Sequence, residues 1–148
     1  MATSNELYLY LLTAEGLVRC GWDGRSQHVE ILNRALDGEV LREVAQDPFD
    51  RNHLYAATIT EIHVSEDGGA HWKWIPSGGI DFRDIWAMEV DPTRRDQVYV
   101  GTLPAAVYVS ENGGRRVSFE LPRRPSYLPD PPLVARLGDG PRIVVRPA

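Results

Sequence analysis

The stretch "VSEDGGAHWKW", residues 64–74, places a polar, glycine-rich turn directly before two tryptophans. A partial copy, "VSENGGRRVSF", follows at 109–119. Asp and Asn side chains close turns by accepting hydrogen bonds from the backbone two residues on, and Gly adopts positive φ without a Cβ clash. Each copy therefore predicts a tight turn before a strand, and the recurrence predicts a chain built from repeated units.

The repeat extends well beyond the two turns. Three segments align: "LYLYLLTAEGLVRCGWDG" from Leu7, "HLYAATITEIHVSEDGG" from His53 and "QVYVGTLPAAVYVSENGG" from Gln97. Successive copies are offset by 44 or 45 residues, and a β-sandwich gives no reason for the same side chains to recur at constant offsets. The aligned positions are Tyr10, Tyr55 and Tyr99; Thr13, Thr58 and Thr102; Cys20, Ser65 and Ser110; and Gly24, Gly69 and Gly114.

Each unit contains short runs rich in β-branched and aromatic residues, separated by turn residues. In the third unit these runs lie near 85–90, 97–102, 106–110 and 117–121. The nearest candidate for a helix, residues 28–44, is interrupted by Asp37-Gly38. Four strands in each unit of this length predict an all-β fold made of β-propeller blades, each with four antiparallel strands. A β-sandwich, which also has short strands and frequent turns, is the alternative.

The number of units predicts an incomplete ring within a single domain. We expect units at about 7–32, 41–76 and 85–121, and an eroded start of another at 133–145. That is about three blades, whereas propellers typically have about 4–8. Because open strand edges invite pairing, we expect either further blades in a longer gene product or a head-to-tail homodimer. In the homodimer, residues 133–138 of one chain would complete the first unit of the other.

Residues 65–72, "SEDGGAHW", match the pattern Ser-x-Asp-x-Gly-x-x-Trp. On this motif the chain resembles the BNR/Asp-box repeat β-propellers, which include sialidases, xyloglucan-cleaving glycosidases, sortilins and photosystem II assembly factors. The likeness covers residues 7 to about 121, although Val117 replaces the tryptophan of the second copy. It implies a hairpin on the rim, away from any active site, with structural roles for Ser65, Asp67, Gly69, Trp72, Ser110, Asn112 and Gly114.

The resemblance also implies where a ligand would bind. In these families the mouth of the central channel is lined by loops before the innermost strand and between the second and third strands. The loops mapped there contain the binding candidates Asp37, Glu39 and Arg83 and, for a glycoside hydrolase, the catalytic candidates Asp81, Asp84 and Glu61.

A glycosidase needs two carboxylates, and a sialidase also needs an arginine cluster to grip a carboxylate. Only Arg83 stands at the mapped position. We therefore interpret the protein as a non-catalytic binding or assembly scaffold for a protein or carbohydrate ligand. The alternatives are a glycoside hydrolase of the sialidase or xyloglucanase type, a decayed fragment of one, and a purely structural fragment.

Composition and charge exclude several classes of partner. The net charge of −5 argues against nucleic acid, which requires a basic surface. The apolar run between Glu6 and Glu15 is too short to span a membrane and lacks a basic flank, so we expect no membrane partner. The expected location is the cytoplasm, or outside the cell if a leader precedes this sequence. The single cysteine, Cys20, excludes an internal disulfide and is expected to be buried.

No motif for a metal or a cofactor is found. The four histidines form neither an H-x-H nor an H-E-x-x-H pair, and His63 and His71, on either side of the predicted turn, are expected on the exposed rim rather than at a metal site. The sequence also contains no phosphate loop, dinucleotide fingerprint or G-x-S-x-G elbow. Core or inter-blade packing, rather than sugar stacking, is the expected role of Trp22, Trp72, Trp74 and Trp86.

Overall fold

The computed structural model describes residues 6–23, 28–77, 80–103 and 106–113. All regular structure in these residues is β, which confirms the predicted fold class at this level. The predicted strand at 117–121, the eroded unit at 133–145 and the Asp-box residue Gly114 lie outside the described residues, as do Gly24 and Val117.

The first sheet has three antiparallel strands in sequential order. They are β1 (Glu6–Thr13), β2 (Gly16–Asp23) and β3 (Val29–Ala35). Tyr10 pairs with Arg19, which in turn pairs with Asn33. Residues that lie opposite one another in a sheet project to the same face, so these three side chains share one face of the first sheet.

The second sheet has four antiparallel strands in sequential order. They are β4 (Leu41–Asp47), β5 (Asp50–Thr58), β6 (Ile62–Ser65) and β7 (Lys73–Ile75). The "SEDGGAHW" turn thus connects the third and fourth strands of this sheet. The four-stranded unit predicted from the sequence is present here in full.

The third sheet contains β8 (Ile85–Val90), β9 (Val98–Thr102) and β10 (Ala106–Ser110), in the order β10-β9-β8. These strands match the first three predicted for the third unit to within one residue. The segment with weak helical character, 28–44, instead contains β3 and the start of β4. Between them Leu36 and Gly38 adopt positive φ of 54° and 83°, which helices do not allow.

The three sheets stack on one another through two apolar interfaces. Backbone hydrogen bonds cross both of them, from Gly38 N to Glu15 O (3.1 Å) and from Ile85 N to Ile59 O (2.8 Å). In each case the segment that leads into one sheet is tied to a hairpin turn of the preceding sheet. The first strands β4 and β8 also contact each other. The smaller interface, between the first and second sheets, buries Leu17, Leu41 and Ala56; the larger buries Ala45, Tyr55, Ala57, Ile62, Ile75, Phe82, Ile85, Met88, Val90, Val98 and Val100.

Two expectations about aromatic residues are wrong. Trp74 and Trp86 are 55% and 56% exposed and so are not core residues, whereas Trp72 packs half-buried in the smaller interface. Trp86 is the extra residue of a β-bulge, because the pairing register shifts between Ile85 and Ala87. A bulge redirects the side chain of the inserted residue, which explains why Trp86 leaves the core.

The expectation that His63 lies on an exposed rim is also wrong, whereas His71 is exposed as expected, and His53 is a second buried histidine. His53 is buried, with its ring 4.8 Å from that of Tyr55 and its Nδ1 3.4 Å from Asp47 Oδ2. His63 is buried on β6, the third strand of the second sheet. Both rings are held inside the fold because they lie within strands rather than in turns. Cys20 is buried, as expected.

Candidate functional site

The turn between β6 and β7 is closed by its own polar side chains. The hydroxyl of Ser65 donates to Asp67 Oδ1 at 2.9 Å and accepts a hydrogen bond from the N–H of Gly69 at 2.8 Å. The N–H of His71 donates to the same Asp67 oxygen at 2.9 Å. The partners of Ser65 and of Asp67 Oδ1 thus belong to the turn itself.

The second carboxylate oxygen of this turn is also engaged. His71 Nδ1 lies 2.6 Å from Asp67 Oδ2, although the imidazole is largely exposed. Hydrogen bonds from the backbone and the ring of His71, helped by Ser65, lower the pKa of Asp67 well below its usual range. Asp67 therefore stays ionised and serves as an acceptor inside the turn.

The partial copy in the third sheet has the same geometry. Ser110 Oγ donates to Asn112 Oδ1 at 2.9 Å, as Ser65 does to Asp67. Gly113 and Gly68 have φ of 64° and 69°, and their N–H groups donate to Asp96 O and Asn52 O at 2.7 and 2.8 Å. The two turns are thus structurally equivalent up to residue 113.

Each turn receives a tyrosine from the sheet before it. The hydroxyl of Tyr10 donates to Gly68 O at 2.8 Å, and that of Tyr55 donates to Gly113 O at 3.0 Å, each across 58 residues. Close packing accompanies the first bond, since a Cβ on Gly69 would lie 2.7 Å from Tyr10 Cε1. These contacts hold each turn against the sheet that precedes it.

The Asp-Pro turns are closed in a similar way. Asp91 Oδ1 accepts hydrogen bonds from the N–H and hydroxyl of Thr93 at 2.9 and 2.7 Å, and Oδ2 accepts one from the hydroxyl of Tyr99 at 3.1 Å. The Thr93 hydroxyl contributes most to lowering the pKa of Asp91. At the matching position, Asp47 Oδ1 accepts a hydrogen bond from Phe49 N at 2.8 Å. These carboxylates stabilise the fold.

The residues predicted for the channel mouth lie in the segments before β4 and β8 and in the β5–β6 turn. Glu61 Oε2 lies 3.9 Å from Nε2 of the buried His63. Burial lowers the pKa of His63, while the negative charges of Glu61 and Glu39 act in the opposite direction. The charges of Glu39 and Glu61, which come from different segments, thus both act on this imidazole.

The acidic pair predicted around Arg83 is divided between two arginines. Arg83 Nε lies 3.5 Å from Asp81 Oδ2, with both side chains more than two-thirds exposed, so this pair is a weak surface contact. Asp84 instead faces Arg42, whose NH2 nitrogen lies 3.2 Å from Asp84 Oδ1. The remaining candidate, Asp37, is exposed in the segment before β4.

Arg42 and Trp86 form a cluster with Asp84 that the sequence pattern did not predict. The guanidinium carbon of Arg42 lies 4.6 Å from the centroid of the Trp86 ring, within the range of a cation–π contact. Arg42 is itself at a bulge, where the register of β4 shifts between Leu41 and Glu43. The two residues are 44 positions apart in the sequence, and this match to the repeat offset is the one sequence signal that could have paired them.

This cluster occupies the inner part of the fold. β4 and β8 are the first strands of their sheets and contact one another, and in a propeller the strands where the blades converge surround the central channel. Trp86 projects from this position with more than half of its surface exposed. We call Arg42, Asp84 and Trp86 the bulge cluster.

Two features are absent from the described ranges: a metal-binding cluster and a membrane-spanning helix. No group of three or more His, Cys, Asp or Glu side chains there is arranged to hold a metal ion. None of the secondary structure described is a helix with the length and apolarity needed to cross a membrane.

Comparison with known proteins identifies the fold. No protein-family profile and no curated protein matches the sequence. The solved structure "YCF48 from Cyanidioschyzon merolae" is 17% identical with a TM-score of 0.56, covering 80% of this chain and 38% of that chain. The structure "YCF48 bound to D1 peptide" is also 17% identical with a TM-score of 0.55, covering 74% of this chain and 35% of that chain.

Both similar structures are β-propellers, so the predicted β-propeller fold is confirmed. This chain spans between about one third and two fifths of their length. At this identity the likeness establishes the fold, and membership of the BNR/Asp-box family stays a prediction.

Proposed function

We propose that the protein is a non-catalytic β-propeller scaffold that binds a segment of another protein at the bulge cluster. The observation that carries this proposal is the exposed indole of Trp86 stacked on Arg42 where the first strands of two blades converge. Trp and Arg are the residue types most enriched among the side chains that dominate binding energy at protein interfaces. A large exposed aromatic on a rigid strand also binds with little loss of conformational freedom.

The polar part of the cluster supplies directional contacts. Arg42 has five N–H donors, four of them on its two terminal nitrogens; one terminal nitrogen contacts Asp84, and 29% of the side chain is exposed. The backbone carbonyls of an extended peptide are suitable acceptors for such donors. A peptide is therefore a ligand that can use both the indole face and the guanidinium at once.

The charges around the cluster favour a basic segment. The segments before β4 and β8 and the β5–β6 turn carry more acidic than basic side chains, and complementary charge accelerates association and selects partners. The acidic residues concerned are Asp37, Glu39, Glu61 and Asp81. One of the two similar YCF48 structures was solved with a bound D1 peptide, which further supports a peptide rather than a carbohydrate ligand.

The test uses fluorescein-labelled peptides of about fifteen residues, in sets with positive, neutral and negative net charge, and measures binding by fluorescence anisotropy. We expect the basic set to bind best and Trp86→Ala to weaken binding by tenfold or more, as for an interface hot spot. Trp74→Ala is the matched control, because Trp74 is equally exposed but lies on the outer strand β7. Equal effects of the two substitutions, or no binding by any set, would overturn the proposal.

The glycoside hydrolase alternative has its own test. Asp84 is engaged by Arg42 and Asp81 lies beside Arg83, and neither contact favours catalysis over binding. Hydrolysis of fluorogenic sialosides or β-glucans that is lost in Asp81→Ala or Asp84→Ala would replace the scaffold proposal with the enzyme.

A further inference from the structure

The first sheet presents an apolar surface on the side opposite the second sheet. Tyr10 and Asn33 face the second sheet, since they hydrogen-bond its β6–β7 turn. Successive residues of a strand project to opposite faces of the sheet. The residues next to Tyr10 on β1, and the residues of β2 and β3 that lie opposite them, therefore project away from the second sheet. We call this surface the leading face; its exposed members are Leu7, Leu9, Leu11, Val29 and Ile31.

The same register positions are covered in the third sheet. Val98 and Val100 flank Tyr99 as Leu9 and Leu11 flank Tyr10. The two valines are 1% and 0% exposed because they pack against the second sheet, whereas the two leucines are 39% and 52% exposed. The leading face of the first sheet thus has the composition of an interface between blades.

The third sheet presents the complementary surface. Tyr99 projects to the face opposite that of Val98 and Val100. In the first and second sheets the equivalent residues, Tyr10 and Tyr55, project to this same face and contact the next sheet there. Ala87 pairs with Gly101 on this same side and is exposed. We call this surface the trailing face; its described members are Ala87 and Glu89, which are exposed, Tyr99, Gly101 and Val107, which are partly exposed, and Val109, which is buried.

We propose that two copies of this chain join head to tail, with the trailing face of each packed on the leading face of the other. The chain already forms this type of interface twice, between its three sheets. Because every copy carries one leading face and one trailing face, a second copy of the chain can cover both. Head-to-tail interfaces close into a ring when the rotation between copies permits it. Two copies bring six sheets together, within the range of about 4–8 blades that propellers use.

The first measurement is sedimentation equilibrium of the full 148-residue chain from about 1 to 100 μM. We expect a dimer of about 33 kDa, which is twice the 16.6 kDa of one chain. Leu9→Asp on the leading face and Ala87→Arg on the trailing face are each expected to weaken the dimer by tenfold or more. Both positions are exposed in the single chain, so circular dichroism should show that the variants remain folded. Trp74→Ser is the matched control, because Trp74 is an exposed apolar residue that lies on neither the leading face nor the trailing face.

A mixing experiment distinguishes head-to-tail assembly from other arrangements. In either variant alone, both interfaces of the ring contain a defective face. An equimolar mixture of Leu9→Asp and Ala87→Arg restores one intact interface, so a heterodimer is expected where neither variant self-associates. A monomer at every wild-type concentration overturns the proposal, as does a dimer that survives Ala87→Arg, which would indicate leading faces packed on each other. Assemblies that grow beyond the dimer would overturn the closed ring.

Discussion

The hydroxyl of Tyr55 donates a hydrogen bond to the carbonyl oxygen of Gly113 at 3.0 Å, joining two sheets across 58 residues. Tyr10 and Gly68 repeat this relationship one unit earlier, with the same separation in sequence. The bond is therefore a periodic element of the fold, and its contribution can be measured at two places.

Removal of the hydroxyl in Tyr55→Phe is expected to lower the free energy of unfolding by about 1–2 kcal/mol, because the buried carbonyl of Gly113 loses its donor. Tyr10→Phe should cost less, about 0.5–1 kcal/mol, since the site is only partly buried and water can replace the donor. Urea denaturation measures both. Tyr108→Phe is the control, because the Tyr108 ring packs edge-on against Phe82 and this contact is kept. Equal losses in all three variants would contradict the assignment.

Gly69→Ala and Gly38→Ala form a matched pair of glycine substitutions. Both residues have positive φ, 87° and 83°, so alanine brings a similar backbone strain of about 1 kcal/mol at each. Only at Gly69 would the new Cβ also meet a side chain, 2.7 Å from Tyr10 Cε1, whereas nothing lies within 4 Å at Gly38. We expect Gly69→Ala to be more destabilising by about 1–3 kcal/mol, the usual range for overpacking.

That difference is measured by thermal or urea unfolding of the two variants. It should shrink when Tyr10→Ala is introduced into both, since the clash partner is then removed. A difference that persists in the Tyr10→Ala background would mean that the strain comes from the turn itself.

Protonation of His63 is expected to destabilise the fold in mildly acidic solution. Burial lowers the pKa of this imidazole below its ordinary value of 6.5. The unfolded chain therefore binds the proton more readily than the folded chain. The stabilisation is complete above about pH 6.5 and is lost progressively as the pH falls towards the lower, folded pKa.

Unfolding free energies between pH 5 and 8 should reveal this dependence, with a reduced slope in His63→Gln. His28→Gln, at an exposed position, is the control for replacing an imidazole by an amide. The proposal for His63 fails if both variants retain the wild-type slope.

Asp91 is expected to stabilise the fold at neutral pH and not in strong acid. Hydrogen bonds, chiefly from the Thr93 hydroxyl, lower the pKa of Asp91 below its ordinary value. The folded chain thus favours the ionised form, and the resulting stability is present above about pH 4 and lost as the pH falls through the folded pKa. Asp91→Asn should be destabilising at pH 7, and this deficit should shrink as the pH falls below about 4. The exposed Asp37→Asn is the comparison, and a deficit of Asp91→Asn that does not vary with pH would exclude this explanation.

The repeat made the fold predictable, because side chains that hold equivalent places in successive blades recur at nearly constant offsets. Tyr10 and Tyr55 were aligned by sequence alone, and the structure gives them the same type of partner. The strands were predictable for a related reason: alternating apolar residues and Gly or Asp-Pro turns encode their bounds locally.

Apart from the 44-residue offset between Arg42 and Trp86, nothing in the sequence predicts the bulge cluster, because its geometry depends on how the strands pair and pack. Trp86 stands in an apolar run that indicates a buried strand, and only the shift in register with β9 turns it outwards. Arg42 occurs in a strand whose alternation is irregular, and its pairing with Trp86 requires that β4 and β8 lie side by side. Burial of His63 was missed for a similar reason, since the hairpin and its neighbours, not the local sequence, cover the ring.

The tyrosine-to-glycine hydrogen bonds cannot form during synthesis until the acceptor glycine has been added to the chain. Each tyrosine leaves the ribosome 58 residues before its acceptor, and at about 5–20 residues per second the delay is about 3–12 s. Over that interval the hydroxyl of Tyr10 hydrogen-bonds to water, and the contact between the first and second sheets is incomplete. Nascent chains stalled just before Gly68 should therefore be more sensitive to protease than chains stalled a blade later.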